Sequence, residues 1–293
     1  RVLRHYVRLE WLVGRPIAQR EQTARNALAA ARASSDPSEI AQSLSNLGGC
    51  YRDGGRFEEA GPLFSEAYQT PQALSPIAVN TVLRNWAVTD LQRGDVEMAR
   101  RRFTEVALLE RPGSEAHASA LLNLGELEFA VGNVEAARTA ARKARETLAR
   151  LNAAPVALAA CNLAAYAMAV DDFDEARDLL RDAFQLLKQS GARWMITALE
   201  HHAVFAGLTG DHERSAALLG FTNAHYVKNS DSRQRTEKHG YERLIRILER
   251  TYAKEELAER MDVGARLTEQ QALEHAAAIS QNISSTPAAI AAE

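Results

Sequence analysis

The chain has 293 residues, with 35 basic and 38 acidic side chains and a formal charge of −3. This near balance argues against a direct nucleic-acid partner, because general attraction to nucleic acid needs a clustered positive field. No apolar run approaches the roughly 20 residues that span a bilayer, and no signal-peptide pattern is present, so we expect a cytoplasmic protein without a membrane partner.

Two features of the sequence indicate the redox state of the protein's compartment and whether the chain is part of a longer protein. Cys50 and Cys161 both lie within helical apolar patterns, so we expect small buried thiols in a reducing compartment rather than a disulfide framework. Position 1 is Arg1 rather than Met, and it already belongs to an amphipathic stretch. We therefore expect the chain to be a piece of a longer protein.

Turn-forming residues recur at intervals of 38 to 41 residues, and each lies between two amphipathic helical patterns. The turn positions are Gly14, Gly55, Gly94, Gly132, Asp171 and Gly210. A two-helix unit of this length cannot bury its own apolar face and must stack on its neighbours. The sequence therefore predicts an all-α solenoid of about six helical hairpins with a period of about 39 residues. It also favours a binding function over a catalytic one.

With the turn residue counted as position 15, the repeats share small residues at two positions and larger apolar residues at a third. Position 8 holds Gly48, Ala87, Gly125, Ala164 and Ala203, position 20 holds Ala60, Ala99, Ala137 and Ala176, and position 24 holds Phe64, Phe103 and Leu180. Small residues let two helices cross closely. We expect the helices of each hairpin to cross at these positions.

The spacing within one repeat resembles that of a known family. The residues that carry the resemblance are Leu47, Gly48, Tyr51, Gly55, Ala60, Phe64 and Ala67. They resemble a tetratricopeptide repeat that is lengthened from the usual length of about 34 residues. The resemblance implies a right-handed α-solenoid of tetratricopeptide-like helical hairpins.

The end of the chain carries a second resemblance, through Glu213–Gly220, Gly240–Leu244 and Gly264–Thr268 followed by Gln271 and Ala272. This segment resembles the C-terminal part of bacterial signal-transduction ATPase regulators of the LuxR and winged-helix types. The resemblance implies the sensor and interaction arm of a bacterial transcription regulator. It also implies that ATPase and DNA-binding modules precede this chain.

The expected domains are a repeat domain over 1–226, a C-terminal helical cap over 227–279 and a flexible tail over 280–293. In the cap, residues 229–232 form a polar cluster typical of a helix start, and apolar residues then recur at helical spacing. These apolar residues are Tyr241, Leu244, Ile245, Leu248 and Tyr252. Thr268 and Gln271 have the spacing of a capping box for the last helix.

The candidate working surface is a groove along the first helices of the hairpins. Position 6 is Asn in four repeats, namely Asn46, Asn85, Asn123 and Asn162. In tetratricopeptide repeats this position faces the concave groove, and a carboxamide can bond both groups of a peptide backbone. Other residues expected to line the groove are Arg84, Val88, Leu91, Leu122, Phe129 and Met168.

Four net hydrogen bonds supply about 2–6 kcal/mol, which is less than the ~8 kcal/mol of a micromolar complex. Apolar contacts must therefore contribute, which favours an extended or helical peptide of a protein partner. Three alternatives stay open: ordinary inner packing with no ligand, a small-molecule effector site, and a scaffold for homo-oligomerisation.

Nothing in the sequence indicates an enzyme, a metal site or a cofactor. His201 and His202 are adjacent, so on a helix their side chains diverge by about 100° and do not hold one metal ion together. The glycines are solitary turn formers rather than a phosphate-binding cluster. Arg100–Arg102 is predicted to be a solvated charged face.

Overall fold

In the computed structural model, the described residues are 10, 15–69, 75–153, 155–190, 194–229, 233 and 235–281. Within these ranges the regular structure is helical and contains no strand. Gly14, residues 230–232 of the polar cluster and residues 282–293 of the predicted tail lie outside the described residues. Residues 280 and 281 of that tail are helical, and Ser280 is buried. Of the helices in the described ranges, none has both the length and the apolar character needed to cross a bilayer.

The described ranges contain fourteen α-helices, most of them joined by short turns. They are α1 (Ile17–Ser34), α2 (Pro37–Asp53), α3 (Phe57–Tyr68), α4 (Pro76–Arg93), α5 (Val96–Leu109), α6 (Glu115–Ala130), α7 (Val134–Arg150), α8 (Val156–Ala169), α9 (Phe173–Ser190), α10 (Met195–Leu208), α11 (His212–Asn229), α12 (Arg235–Thr251), α13 (Lys254–Ala265) and α14 (Glu269–Gln281). This is an all-α helical-repeat solenoid, as the sequence predicts.

The turn residues adopt the backbone conformation that explains their recurrence. The φ angles are 74° at Gly55, 96° at Gly94, 86° at Gly132, 58° at Asp171 and 92° at Gly210. This left-handed region is open to glycine and costly for most other residues. The described part of the predicted turn ladder is therefore confirmed.

The described residues form two compact units, divided between Leu127 and Glu128 near the end of α6. In the first unit, α2 packs against α3 and α4 packs against α5. The rings of Phe64 and Phe103 are fully buried there. A Cβ atom added at Gly48 would lie 2.9 Å from the Phe64 ring. Glycine at position 8 therefore permits the close crossing that the repeat pattern predicts.

In the second unit, α8 packs against α9 and α10 packs against α11. Every residue of α10 from Ala198 to Leu208 is buried. Helices α11 and α13 touch at Gly220 and Gly264, where an added Cβ would collide with the backbone of the opposite helix. The division at 226–227 into a repeat domain and a cap stays a prediction, and this position lies inside α11.

The predicted capping box of the last helix is confirmed. Gln271 Oε1 accepts a hydrogen bond of 2.9 Å from the backbone N–H of Thr268, and Thr268 Oγ1 accepts one of 3.3 Å from the backbone N–H of Gln271. The two bonds satisfy donors that would otherwise lack a partner at the start of a helix.

The prediction of a solvated face at Arg100–Arg102 is wrong for its last member. The Arg102 guanidinium lies over the ring of Trp86, 3.6 Å from its centroid, and forms an ion pair with the buried Asp90. Trp86 and Asp90 are one turn apart on α4, so α5 places Arg102 against both. The side chain ties the two helices of one hairpin together.

Candidate peptide-binding faces

We use the term first-helix face for positions 5, 6, 9 and 12 of the first helix in each hairpin, which include the predicted groove residues. In the first unit this face lies on α2, on α4 and on α6 up to Leu127. In the second unit it lies on the last turn of α6, on α8 and on α10. The two units are described separately.

In the first unit, three predicted asparagines are half-buried, namely Asn46, Asn85 and Asn123. Asn85 Nδ2 donates to Ser45 Oγ at 3.4 Å, and Asn85 Oδ1 accepts from Arg52 Nη1 at 3.4 Å. Both bonds are long, so each is weak. The Asn85 carboxamide therefore links α4 to α2 through contacts that a peptide group can replace.

The other predicted residues of this face differ in exposure. Arg84 is exposed and Val88 is half-buried, whereas Leu91 and Leu122 are buried. Arg84 and Val88 are one turn apart on α4, so a cation and an apolar side chain lie next to each other at the surface. This part of the face offers a charge and an apolar contact to a partner.

In the second unit, the predicted residues Phe129, Asn162 and Met168 are all buried. Asn162 is 1% exposed, in contrast to the three half-buried asparagines of the first unit. The cause for Phe129 and Met168 is α12, which packs against α8 and α10. The first-helix face of the second unit is covered by a helix of the same chain.

The contacts of α12 fall at the positions that the repeat pattern assigns to this face. The ring of His239 lies 5.1 Å from that of Phe129, and an added Cβ at Gly240 would be 3.2 Å from Val204 Cγ2. Arg243 Nη1 donates to the backbone oxygen of Met168 at 2.7 Å. Phe129 and Met168 stand at position 12 and Val204 at position 9.

Arginines attach the start and the middle of the covering segment. Arg233, just before α12, donates from Nε to Glu200 Oε1 at 2.8 Å, and its guanidinium lies 4.0 Å from the centroid of the Tyr241 ring. Arg243 donates from Nη2 to Asp171 Oδ1 at 2.7 Å. Asp171 is the one turn residue of the described ladder that is not glycine, and it offers a carboxylate where glycine has none.

Three buried titratable groups are consecutive on α10, namely Glu200, His201 and His202. Burial raises the pKa of Glu200 to about 7, although the ion pair with Arg233 acts in the opposite direction. Burial also lowers the pKa of His201 and that of His202 to about 4, so both imidazoles are neutral near pH 7.

The two histidines differ in their hydrogen bonds. His202 Nδ1 lies 2.7 Å from the backbone oxygen of Ala198 and Nε2 lies 3.0 Å from Ser280 Oγ. The carbonyl requires a donor at Nδ1, so Nε2 accepts from the serine hydroxyl. Neither ring nitrogen of His201 has a hydrogen-bond partner among the described protein groups.

A small cavity lies between α12 and the face beneath it. Its volume is about 10 Å³, which is room for about one water molecule. Its lining includes His201 and Thr236, and the Thr236 hydroxyl is also buried without a partner among the described groups. The cavity is far too small for a metabolite.

The described residues include no group of three His, Cys, Asp or Glu side chains that is arranged to hold a metal ion. Cys50 and Cys161 are both free and buried, as expected. Burial raises the pKa of Cys50 to about 11 and that of Cys161 to about 12, so neither thiol is activated for nucleophilic chemistry.

Sequence reasoning missed α12 as an occupant of the face. The available signal was a stripe with a period of four residues, namely Thr236, Gly240, Leu244 and Leu248. A small residue inside an amphipathic helix indicates a close approach to another helix.

Comparison with known proteins agrees with this architecture. Two family models, both described as tetratricopeptide repeat, match the chain, one over residues 19–75 and 84–153 and the other over 156–190. The chain contains a tetratricopeptide-repeat domain. Domains of this family generally act as protein-interaction scaffolds, which agrees with a non-catalytic binding role. No curated protein has a sequence that matches the chain.

Solved structures share the fold of this tetratricopeptide-repeat domain at low sequence identity. A tetratricopeptide repeat protein from Parabacteroides merdae ATCC 43184 is 17% identical in sequence, with a TM-score of 0.53. The match covers 96% of this chain and 98% of that protein's chain. BtubC (BKLC) from P. vanneervenii is 19% identical with a TM-score of 0.54, covering 80% and 92%. The apo form of RapI is 10% identical with a TM-score of 0.56, covering 80% and 70%.

Proposed function

We propose that this chain is a non-catalytic binding arm that recognises an extended or helical peptide of a protein partner on the first-helix face of its first unit. The observation that carries the proposal is the position of α12 in the second unit. There, positions 9 and 12 of the repeat accept a helix of the same chain. Because the repeats share a register, the same positions of the first unit suit a peptide from another protein.

Arg84 and Val88 define the expected chemistry of the peptide. The exposed guanidinium favours a carboxylate, and the neighbouring valine favours an apolar anchor one helical turn away. We expect Asn46, Asn85 and Asn123 to bond the peptide backbone or its polar side chains. We expect an acidic peptide with apolar anchors, because the hydrogen bonds alone are too weak for stable binding.

The experiment selects peptides from a random library displayed on phage, with the full chain as the target. We expect enriched peptides that combine an acidic residue with an apolar one. Their affinity should fall at least tenfold for the Arg84→Glu/Val88→Ser variant and stay unchanged for Arg101→Glu, which reverses an exposed charge on α5. Equal loss in both variants, or no enrichment, would contradict this site.

The wider role that we propose is the sensor arm of a bacterial transcription regulator, with ATPase and DNA-binding modules outside this chain. The support is the resemblance of Glu213–Gly220 and the following segments to such regulators. Signalling then requires a peptide that binds one arrangement of the arm more tightly than another. Fusing the chain to its natural upstream sequence and measuring ATP hydrolysis with and without a selected peptide would test this role.

Self-association is a second candidate, and a specific observation favours it. Leu108 and Leu109 at the end of α5 are 82% and 53% exposed. Adjacent exposed leucines are suited to an apolar contact with another copy. Light scattering across a concentration series would detect a dimer, and Leu108→Ser/Leu109→Ser should abolish it. The small-molecule alternative gains no support from the cavity under α12, which has room for about one water molecule.

A further inference from the structure

We infer that α12 is an exchangeable occupant of the second unit, and that a basic amphipathic helix of a partner protein can take its place on the same residues. We call this surface the α12 seat, formed by Phe129, Ala165, Met168, His201, Val204 and Leu208. The inference concerns a different surface from the one proposed for the first unit, and it stands independently of that proposal.

The contact has the form of a helix lying in a groove. Four residues of α12 are buried, namely Thr236, Glu237, Leu244 and Leu248. Thr236, Leu244 and Leu248 lie on one stripe, Gly240 continues this stripe against Val204, and Glu237 lies beside it. The opposite side carries charged residues such as Lys238, Glu242 and Arg246, which are exposed. A helix with one narrow apolar stripe and one charged side is the kind of ligand that helix-binding grooves accept.

The fit of α12 is incomplete at the centre of the seat. The imidazole of His201 and the hydroxyl of Thr236 are buried without a hydrogen-bond partner among the described groups, and a cavity lies beside them. The cavity admits about one water molecule, so α12 and its seat do not bond each other directly at this point. A helix with a longer polar side chain at the Thr236 position can fill the cavity and bond His201.

Helix α12 also buries fewer apolar side chains than the helix beneath it. All residues of α10 from Ala198 to Leu208 are buried, whereas α12 buries two large apolar side chains, Leu244 and Leu248. Segments with few buried apolar contacts open at a lower free energy than the core does. We therefore expect α12 to leave the seat while α8 and α10 stay folded.

Charge at the two ends of the seat sets the chemistry of the partner. Glu200 is 0% exposed and binds Arg233, whereas Asp171 and the backbone oxygen of Met168 bind Arg243. The backbone oxygen belongs to the negative end of α8. A suitable helix therefore carries two cations about ten residues apart with a small residue between them, followed by two apolar residues four apart.

The test uses the full chain and a fluorescent synthetic peptide with the sequence of residues 233–251. A Cβ atom added at Gly240 lies 3.9 Å from the Cβ atom of Val204, which is a usual separation for a disulfide. Oxidation of a Val204→Cys/Gly240→Cys chain should therefore lock α12 in place. We expect the peptide to bind the reduced chain and to bind the oxidised chain at least tenfold more weakly.

Three controls define the outcome. A peptide that carries Arg243→Glu and Leu244→Asp should not bind, oxidant should leave a chain with Val204→Cys alone unchanged, and Arg84→Glu/Val88→Ser in the first unit should not affect binding. Equal binding to the oxidised and reduced chains, or binding to neither, would overturn the inference. These results are separable from a failure of the first-unit site, which the Arg84 variant reports.

Hydrogen exchange on the unmodified chain gives a second, independent measurement if the double-cysteine chain folds poorly. We expect the amides of α12 to exchange at least tenfold faster than those of α10, through an opening that leaves α8 and α10 protected. Exchange of α12 and α10 at one common rate with the same denaturant dependence would mean that α12 leaves only on global unfolding. That result would also overturn the inference.

Discussion

Gly48 and Gly49 are neighbours on α2 whose surroundings differ sharply. A Cβ atom at Gly48 would lie 2.9 Å from the Phe64 ring, whereas one at Gly49 would have nothing within 4 Å. We predict that Gly48→Ala lowers the free energy of unfolding by about 1–3 kcal/mol, because the added methyl group overpacks the helix crossing. Gly49→Ala should raise the same quantity by about 0.5–1 kcal/mol, because alanine favours a helix.

Urea unfolding of both variants and the parent chain measures these changes. The Gly49 variant is the matched control, since it adds the same methyl group to the same helix one residue away. A similar change of either sign in both variants would mean that position 8 of the repeat does not set the distance between these helices.

For single residues, the repeat pattern predicted which positions need a left-handed backbone better than it predicted which side chains contact each other. Gly55, Gly94 and Gly210 could be identified because a left-handed turn restricts the residue type. Arg102 was misjudged because charged residues in a run usually face solvent. Its true partners, Trp86 and Asp90, lie on the preceding helix, and only the packing of α4 on α5 brings them to it.

Helices α4 and α5 form a hairpin whose packing includes the ion pair of Asp90 with Arg102. Asp90 is almost fully buried, and the Arg102 guanidinium is held between the carboxylate and the Trp86 ring. We predict that Asp90→Ala destabilises the chain by about 3 kcal/mol, because it leaves a largely buried cation without its closest counter-charge. The double variant Asp90→Ala/Arg102→Met should be destabilised less than Asp90→Ala alone.

Thermal or urea unfolding of the two single variants and the double variant completes a double-mutant cycle. Arg93 Nη2, which lies 3.6 Å from Asp90 Oδ1 and belongs to a more exposed side chain, provides the comparison. We expect Arg93→Met to cost less than about 1 kcal/mol, as exposed ion pairs usually do. Additive single effects at Asp90 and Arg102 would contradict a specific tie between the two helices.

Elements differ in how far the sequence could place them. The helices of each hairpin are placed by the repeat, because neighbouring units pack in the same way. Helix α12 was predicted as an amphipathic helix of the cap, but its seat on α8 and α10 depends on contacts between residues about 75 apart, such as Arg243 with Met168. The four-residue stripe of α12 indicates a close approach to another helix but does not say which one, so the covered state of Phe129 and Met168 could not be predicted.

The stability of the whole molecule should depend on pH through three buried groups of α10. The pKa values of His201 and His202 are lowered to about 4, so their contribution is present above about 6.5 and is lost as the pH falls toward 4. The pKa of Glu200 is raised to about 7, so its contribution is present below about 4.5 and is lost as the pH rises through 7. The two effects oppose each other between these limits.

Between pH 5 and 6 these groups make the unfolded chain bind about one proton more than the native chain, since two histidines gain protons and one glutamate releases its own. Stability should therefore fall on acidification by about 1.4 kcal/mol per pH unit from this source. Glu200→Gln removes the opposing group, so we predict a slope that is steeper by about 1.4 kcal/mol per pH unit. Urea unfolding at several pH values measures both slopes.

Between pH 5 and 6 the native Glu200 carboxyl group is mostly protonated, so its replacement by an amide beside Arg233 adds an offset that is nearly the same at each pH and leaves the slope almost unchanged. His202→Asn serves as the complementary control, because it should make the dependence shallower by the same amount. Identical slopes for the parent chain and both variants would mean that these groups titrate alike in the folded and unfolded states.

Asp171 departs from the glycine of the repeat at a turn that contacts α12, a helix outside the repeat pattern. Its φ angle of 58° would cost less with glycine, yet its carboxylate gives Arg243 an ion pair that glycine cannot. An engineer who averaged the repeats into a consensus would write glycine here, gaining turn stability while removing a recognition group from one end of the α12 seat. In such averaged designs, the positions that violate the pattern are the ones to keep, because they record contacts with the rest of the molecule.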